Sequence, residues 1–278
     1  MKKSIVALSV LALTSASAFA ADYSDGDIHK NDYKWMQFNY MYSIDELPHG
    51  KDAENNAHDY LEMEFGGRSG VFDLYGYVDV FNLATKDDTD KDSDASKMFM
   101  KFAPRISLDA LTGQDLSLGP IQEVYIATLF NWGGGSRNAL GGSGDVNNSF
   151  WGLGSDVMVP WLGKIGLNVY GLYDLNKKDW NGYQVSTNWF KPFYFFENGS
   201  FISYQGYIDY QFGMKDEYSS VSEGGVMFNG IYWHSDQFAV GYGLKAYTNV
   251  YGIEDGKDWG GSAESTGLSH YVSVTYKF

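Results

Sequence analysis

The chain has no cysteine, which excludes a disulfide framework and any thiolate metal site. The fold must then be held by packing and backbone pairing alone. Proline is scarce, with five in 278 residues, so little interrupts regular structure. Basic charge is also short: 20 Lys and Arg stand against 35 Asp and Glu, a formal net charge of −15. A phosphate footprint needs Lys and Arg clustered on one face, and the sequence offers no such cluster, so nucleic-acid binding is excluded as a function class. After residue 21 no apolar run is long enough for a transmembrane helix.

The first twenty residues differ from the rest. Met1-Lys2-Lys3 is a basic start, Ile5 to Leu13 is mostly apolar, and Ala18-Phe19-Ala20 has the small-x-small pattern that signal peptidase cuts. The apolar run is too short to span a bilayer, which makes a retained anchor the weaker reading. Residues 1–20 are expected to be a signal peptide and 21–278 one domain, starting at Ala21. Loss of Lys2 and Lys3 leaves the remainder more acidic still.

Aromatic residues are abundant: 22 Tyr, 18 Phe and 8 Trp beside 33 Gly. That mixture favours strands, and Tyr and Trp suit a water–lipid boundary, where one end of the ring is apolar and the other wet. A negative mean hydropathy is compatible with a membrane barrel, because half of each strand faces a wet interior.

The periodicity is two. Phe72, Leu74, Val78 and Val80 share one face, opposite Asp73, Tyr75, Tyr77 and Asp79. Phe102, Pro104, Ile106 and Leu108 alternate in the same way with Lys101, Ala103, Arg105, Ser107 and Asp109, and Pro104 should mark an irregularity. Ile202, Tyr204, Ile208, Tyr210 and Phe212 alternate with Ser203, Gln205, Tyr207, Asp209 and Gln211, whereas a helix would scatter both sets. The template predicts strands near 33–44, 57–66, 71–81, 98–110, 120–131, 149–158, 164–174, 181–190, 200–212, 224–234, 237–249 and 268–278.

These twelve strands imply an all-β fold, a transmembrane antiparallel β-barrel of the outer-membrane type, and an even count suits a single chain with both termini on one side. Short turns at 66–70, 159–163 and 235–236 alternate with longer segments at 45–56, 82–97, 132–148, 213–223 and 250–267. That is the outer-membrane pattern, with long outside loops and periplasmic chain ends. Two connections strain it: 175–180 is short for an outside loop, and 191–199 is long for a periplasmic turn. The last strand ends on Phe278, with Tyr276, Val274 and Val272 on the same face. A closed sheet would leave no unpaired edge in lipid.

Phe72 to Asp79, Phe99 to Asp109 and Asp115 to Pro120 resemble the nucleoside-specific channel-forming family, the Tsx-like porins. Trp151 to Asp156, Leu167 to Tyr170 and Trp180 to Tyr183 look like further family segments. The resemblance runs from about Tyr33 to Phe278 and is closest to the outer membrane protein K branch. It implies a monomeric, narrow, twelve-stranded channel in the outer membrane of a Gram-negative bacterium, for passive diffusion of nucleosides and deoxynucleosides. In some members it also implies attachment of phage or colicin. Lys101 and Ala103 stand where the family's nucleoside channels are acidic, which bears on substrate range and not on architecture.

If apolar faces point to lipid, the pore wall receives Glu62, Glu64, Asp73, Tyr75, Tyr77, Asp79, Lys101, Arg105, Asp109, Glu123, Tyr125, Tyr170, Tyr207, Asp209 and Lys245. A nucleoside base stacks on Tyr or Phe, worth about 1–3 kcal/mol per base in protein grooves, and its ribose hydroxyls suit carboxylates and Arg. Several weak sites in series would let it enter and leave. The same side chains also read as an interior ion-pair network that braces the barrel, with Arg105 against Asp73, Asp79, Glu62 or Glu123. For any single residue that reading is at least as good, and both stay open. An acidic lumen would disfavour anions such as nucleotides. The acidic run Asp87 to Asp94 reads as a solvated outside loop facing lipopolysaccharide, and it lacks the EF-hand spacing for calcium.

Other chemistry falls away. Gly241-Tyr242-Gly243-Leu244-Lys245-Ala246 formally fits a dinucleotide fingerprint, but a strand continues where a helix should open. Gly133 to Gly144 lacks the Gly-Lys-Ser/Thr ending of a phosphate loop. An outer-membrane phospholipase would need Ser, His and a polar orienter grouped on the outer wall. His234 and His270 lie on strands, and no nucleophile–base pair is evident from spacing. No catalytic residue, cofactor or metal is expected. Two function classes remain: a substrate-selective diffusion channel, and a plugged barrel whose loops serve surface interaction.

Overall fold

The computed structural model describes residues 23–51, 57–84, 96–134 and 146–278. The expected signal peptide, the acidic run Asp87 to Asp94 and most of the glycine-rich stretch Gly133 to Gly144 lie outside the described residues.

Twelve antiparallel strands close into a barrel. They are β1 (Tyr33–Ile44), β2 (His58–Ser69), β3 (Phe72–Phe81), β4 in two runs (Met98–Phe102 and Arg105–Ser107), β5 (Ile121–Gly134) and β6 (Asn147–Val159). Then follow β7 (Gly163–Asp174), β8 (Asp179–Phe195), β9 (Phe201–Phe212), β10 (Glu223–His234), β11 (Phe238–Thr248) and β12 (Gly267–Lys277). Each strand pairs with its neighbours in sequence, and β12 pairs back onto β1 from Gln37↔Lys277 to Ile44↔His270. That closure leaves no sheet edge.

The period-two pattern sorts the side chains as expected. Leu153, Val169, Ile231, Val240, Val272 and Val274 face outward and exposed, while Asn39, Ser43, Ser203, Ser269, Ser273 and Thr275 are buried in the interior. Exposed aromatic residues gather at the two ends of the wall. Phe72, Trp161, Trp233, Phe238, Tyr276 and Phe278 lie at the turn end, and Tyr42, Trp180, Tyr183 and Phe212 at the loop end. These are the belts of a membrane barrel. Two outward polar pairs satisfy each other where water is absent. The Tyr204 hydroxyl donates to Asn229 Oδ1 at 2.6 Å, and the Tyr242 hydroxyl lies 2.6 Å from His270 Nδ1.

Three expectations change. The strand predicted over 98–110 breaks at Ala103–Pro104, because proline has no N–H for the ladder. The Pro104 carbonyl accepts instead from the Thr128 amide at 3.1 Å and its hydroxyl at 2.8 Å. After Ser107 the chain forms a short helix α1 (Leu108–Thr112), capped by the Ser107 hydroxyl on the Ala110 amide and closed by Gly113 in the left-handed conformation. Leu108 and Asp109 are therefore helical and leave the pore-wall strand. The overlong turn disappears because β8 runs on to Phe195, so only 196–200 connect it to β9. The 175–178 loop stays short as a four-residue turn.

Two connections add structure at the loop end. His49–Gly50 pairs with Ala263–Glu264, tying the first loop to the last. At the turn end, residues 23–32 fold back so that Tyr23 is buried and Asp32 accepts from the Gly70 amide at 2.8 Å. That bond and His29 hold the Asp32 carboxyl below its usual range, the His29 contact contributing most.

Candidate functional site

The interior wall holds charged groups that reach across strands. In the half nearer the turns, Arg68 of β2 makes a two-pronged bond to Glu123 of β5, with Nη2–Oε1 at 2.6 Å and Nη1–Oε2 at 2.8 Å. Ser107 donates a third hydrogen bond to Glu123. The Tyr23 ring lies 5.3 Å from the Arg68 guanidinium carbon, so the N-terminal segment covers this pair from the turn end. Arg105 donates to Asp73 at 2.8 Å and to Asp156 at 3.0 Å, and its guanidinium sits 3.9 Å above the Tyr125 ring. Lys164 adds a second cation to Asp156 at 3.0 Å. Planar guanidinium suits both the forked carboxylate bond and the ring face, which lysine could not match.

Nearer the middle, Glu62 and Glu64 of β2 both accept from Asn39, and Glu64 also accepts from Gln37 at 2.6 Å and from the Tyr75 hydroxyl at 2.9 Å. Tyr75 and Tyr77 meet edge to face at 6.2 Å, and Tyr77 continues to Phe99 at 6.1 Å. Lys101 of β4 donates to Asp209 of β9 at 2.9 Å and lies 5.5 Å from the Tyr207 ring centre. Asp209 accepts further from Ser186 at 2.6 Å.

Toward the loops the lumen widens into a cavity of about 270 Å³. Its lining includes Tyr77, Phe99, Lys101, Tyr207, Asp209 and Lys245, with the amides Asn131, Gln184 and Gln211. Tyr207 stacks on Phe228 with ring planes 17° apart. Phe228 can lie flat on the wall only because Gly243 stands beneath it, where an ideal Cβ would fall 2.2 Å from the ring, and Tyr232 covers Gly241 at the same distance. The formal dinucleotide motif is thus a bed for two aromatic rings. Lys245 reaches Glu46 of the first loop at 3.5 Å. At the rim Tyr218 donates to Asp179 at 3.0 Å, a bond that pushes the phenol up to about 12.

Most of the expected pore-wall residues therefore point inward, but into two groups. Tyr77, Lys101, Tyr207, Asp209 and Lys245 share the open chamber. Asp73, Arg105, Glu123 and Tyr125 belong to the bracing network below it, and Tyr125 is 0 % exposed. Asp79 is buried beside the carboxylate of Glu62. Tyr170 packs in an apolar patch with Phe150. Asp109 is not on the pore wall. Its two oxygens accept from the Leu116 and Val124 amides at 2.9 Å each, and burial raises its pKa.

Arg68 escaped the sequence reading because it was assigned to a turn, although the parity of Glu62 and Glu64 continues through it. Asp156 carries the parity of Phe150 along β6, a weaker signal because glycines separate the two. A Ser–His–carboxylate grouping also escaped. Ser43 Oγ lies 3.0 Å from His58 Nδ1, and His58 Nε2 lies 3.0 Å from Glu46. Both Ser43 and His58 are 0 % exposed, so the grouping offers no face to a substrate and ties the first loop to the wall. His234 is likewise taken by Ser203 at 2.8 Å. Among the described residues no cluster of three or more His, Cys, Asp or Glu is arranged to hold a metal ion.

Comparison with known proteins places this architecture. Residues 30–278 match the family described as nucleoside-specific channel-forming protein, Tsx. Outer membrane protein OmpK of Vibrio parahaemolyticus is 70% identical over 278 residues, covering all of both chains. The nucleoside-specific channel-forming protein Tsx of Salmonella typhimurium is 30% identical over 303 residues, again covering all of both. Among solved structures the KdgM porin aligns over 87% of this chain and 99% of its own, with 14% identity and a TM-score of 0.44. The relatives are Gram-negative outer-membrane proteins, so the loops face outside and the turns face the periplasm. The chain belongs to the nucleoside-specific channel-forming family of outer-membrane β-barrels.

Proposed function

We propose that the barrel is a passive, substrate-selective channel for nucleosides and related small neutral solutes. The observation that carries this reading is the outer chamber, which gathers the rings of Tyr77, Phe99 and Tyr207, the Lys101–Asp209 pair and seven Asn and Gln side chains around one cavity. A flat base has rings to stack on, the amides match its polar edge, and Asp209 and Lys101 suit hydroxyls. Each stacked base contributes about 1–3 kcal/mol, enough to favour the solute and weak enough to release it. The Tsx relatives at about this chain's length carry the same activity in their name. Export through residues 1–20, cleavage before Ala21 and a monomeric barrel belong to the same reading, and the mass of the mature protein tests the cleavage site.

The test is the ion current through the protein in planar bilayers with and without uridine. Graded, reversible block by uridine is the expected result. Absence of an open current, or a current indifferent to nucleoside, overturns the selective-channel reading. Phage or colicin attachment that persists without any open current would instead mark a plugged barrel serving surface interaction.

A further inference from the structure

Lys101 and Asp209 do not sit on neighbouring strands. From β4 to β9, four strands lie between them one way and six the other, so their strands face each other across the lumen. Twelve strands spaced about 4.8 Å and tilted about 40° make a round barrel about 24 Å across, with walls five strands apart standing about 23 Å from each other. A lysine stem, the 2.9 Å contact and an aspartate together reach only about 13 Å from Cα to Cα. The barrel must therefore be pinched where the two meet.

The space on either side of the pair is taken. Following the ladders round the barrel with their tilt, Leu129, Phe150 and Tyr170 stand at this level between β4 and β9 one way. Met41, Tyr60 and Tyr271 stand there the other way. All six are buried. The pair itself keeps some exposure, 17% for Lys101 and 20% for Asp209, and it forms the floor of the outer chamber. Asp209 is fixed by Ser186 and Gln184, whereas among the described residues Lys101 is held by Asp209 and the Tyr207 face.

We infer that the Lys101–Asp209 pair is a transluminal crosspiece at the narrowest level of the channel and determines its selectivity by size and charge. A permeating solute passes where the pair now meets, and the more loosely held Lys101 is the arm that swings aside. As a neutral crosspiece it favours neither cations nor anions, which suits uncharged polar solutes. Unpairing it leaves one charge at the constriction, and the remaining charge selects the opposite ion. This deepens the channel reading and rests on it for the nature of the solute, but its test needs no nucleoside.

The experiment is single-channel conductance and reversal potential in a KCl gradient for wild type, Lys101→Ala, Asp209→Ala and the reversed pair Lys101→Asp/Asp209→Lys. Either alanine variant should raise conductance at least about twofold, with Lys101→Ala turning cation-selective and Asp209→Ala anion-selective. The reversed pair should return both properties toward wild type. Retained heat-modifiable migration in gels confirms a closed barrel for each variant, and Lys101→Gln and Asp209→Asn serve where an alanine variant does not fold. Unchanged conductance and reversal potential in the single variants overturn the crosspiece. Should uridine still block those unchanged currents, the crosspiece fails while the nucleoside reading stands.

Discussion

Replacing Glu123 by Gln should cost the barrel about 3 kcal/mol, and by Ala about 5, the range found when one partner of a buried ion pair is removed. The structure explains why the cost is that large. Arg68 and Glu123 are each 5% exposed and make two hydrogen bonds at 2.6 and 2.8 Å. Two unit charges about 4 Å apart attract by about 4 kcal/mol at an effective dielectric of 20, which agrees with the mutational range. Glutamine keeps one acceptor for the guanidinium, while alanine leaves it facing Tyr125 and the Tyr23 ring without an anion. The double variant Arg68→Met/Glu123→Gln removes the stranded charge, so it should be less destabilised than the two single costs added together. Urea-dependent folding into phospholipid vesicles, followed by tryptophan fluorescence, measures all three. A Glu123→Gln cost below about 1 kcal/mol, or an additive double variant, would refute the bracing role.

Other perturbations reach other parts of the molecule. Gly243→Ala places a methyl 2.2 Å from Phe228 Cζ and drives the ring off the wall into the chamber. Conductance should fall roughly twofold and return on adding Phe228→Ala, whereas an unchanged current would mean that the ring has room elsewhere. Tyr218, pushed up to about 12 by its hydrogen bond to Asp179, gains from that bond fully below pH about 10, and the gain is lost as pH rises through about 12. Tyr218→Phe should therefore remove a late-titrating phenol from the phenolate absorbance curve. Identical curves above pH about 11 would contradict the assignment.

The barrel was legible because lipid imposes a rule on sequence. Most outward residues are apolar, so period two survives in the strands, and Val272, Val274 and Tyr276 show it as plainly as Phe72 and Leu74. Pro104 announced the break in β4, but the helix after Ser107 could not be foreseen. Leu108 and Asp109 continue the alternation, and only the hydroxyl cap and Gly113 turn the chain away. The interior was harder to read, because partners there come from strands far apart in the chain. Parity showed that Lys101 and Asp209 point inward, but only the closed fold shows that they meet. Arg68 was hidden by the glycines around it, Gly66, Gly67 and Gly70, which look like a turn and are partly strand.

The proposed channel selects nucleosides and does not merely admit small solutes. Uptake of radiolabelled uridine into proteoliposomes, set against the smaller neutral solute glucose, tests it most directly. Uridine flux that exceeds glucose flux and saturates with concentration is the predicted result. Faster glucose flux, with uridine uptake linear in concentration, would contradict it.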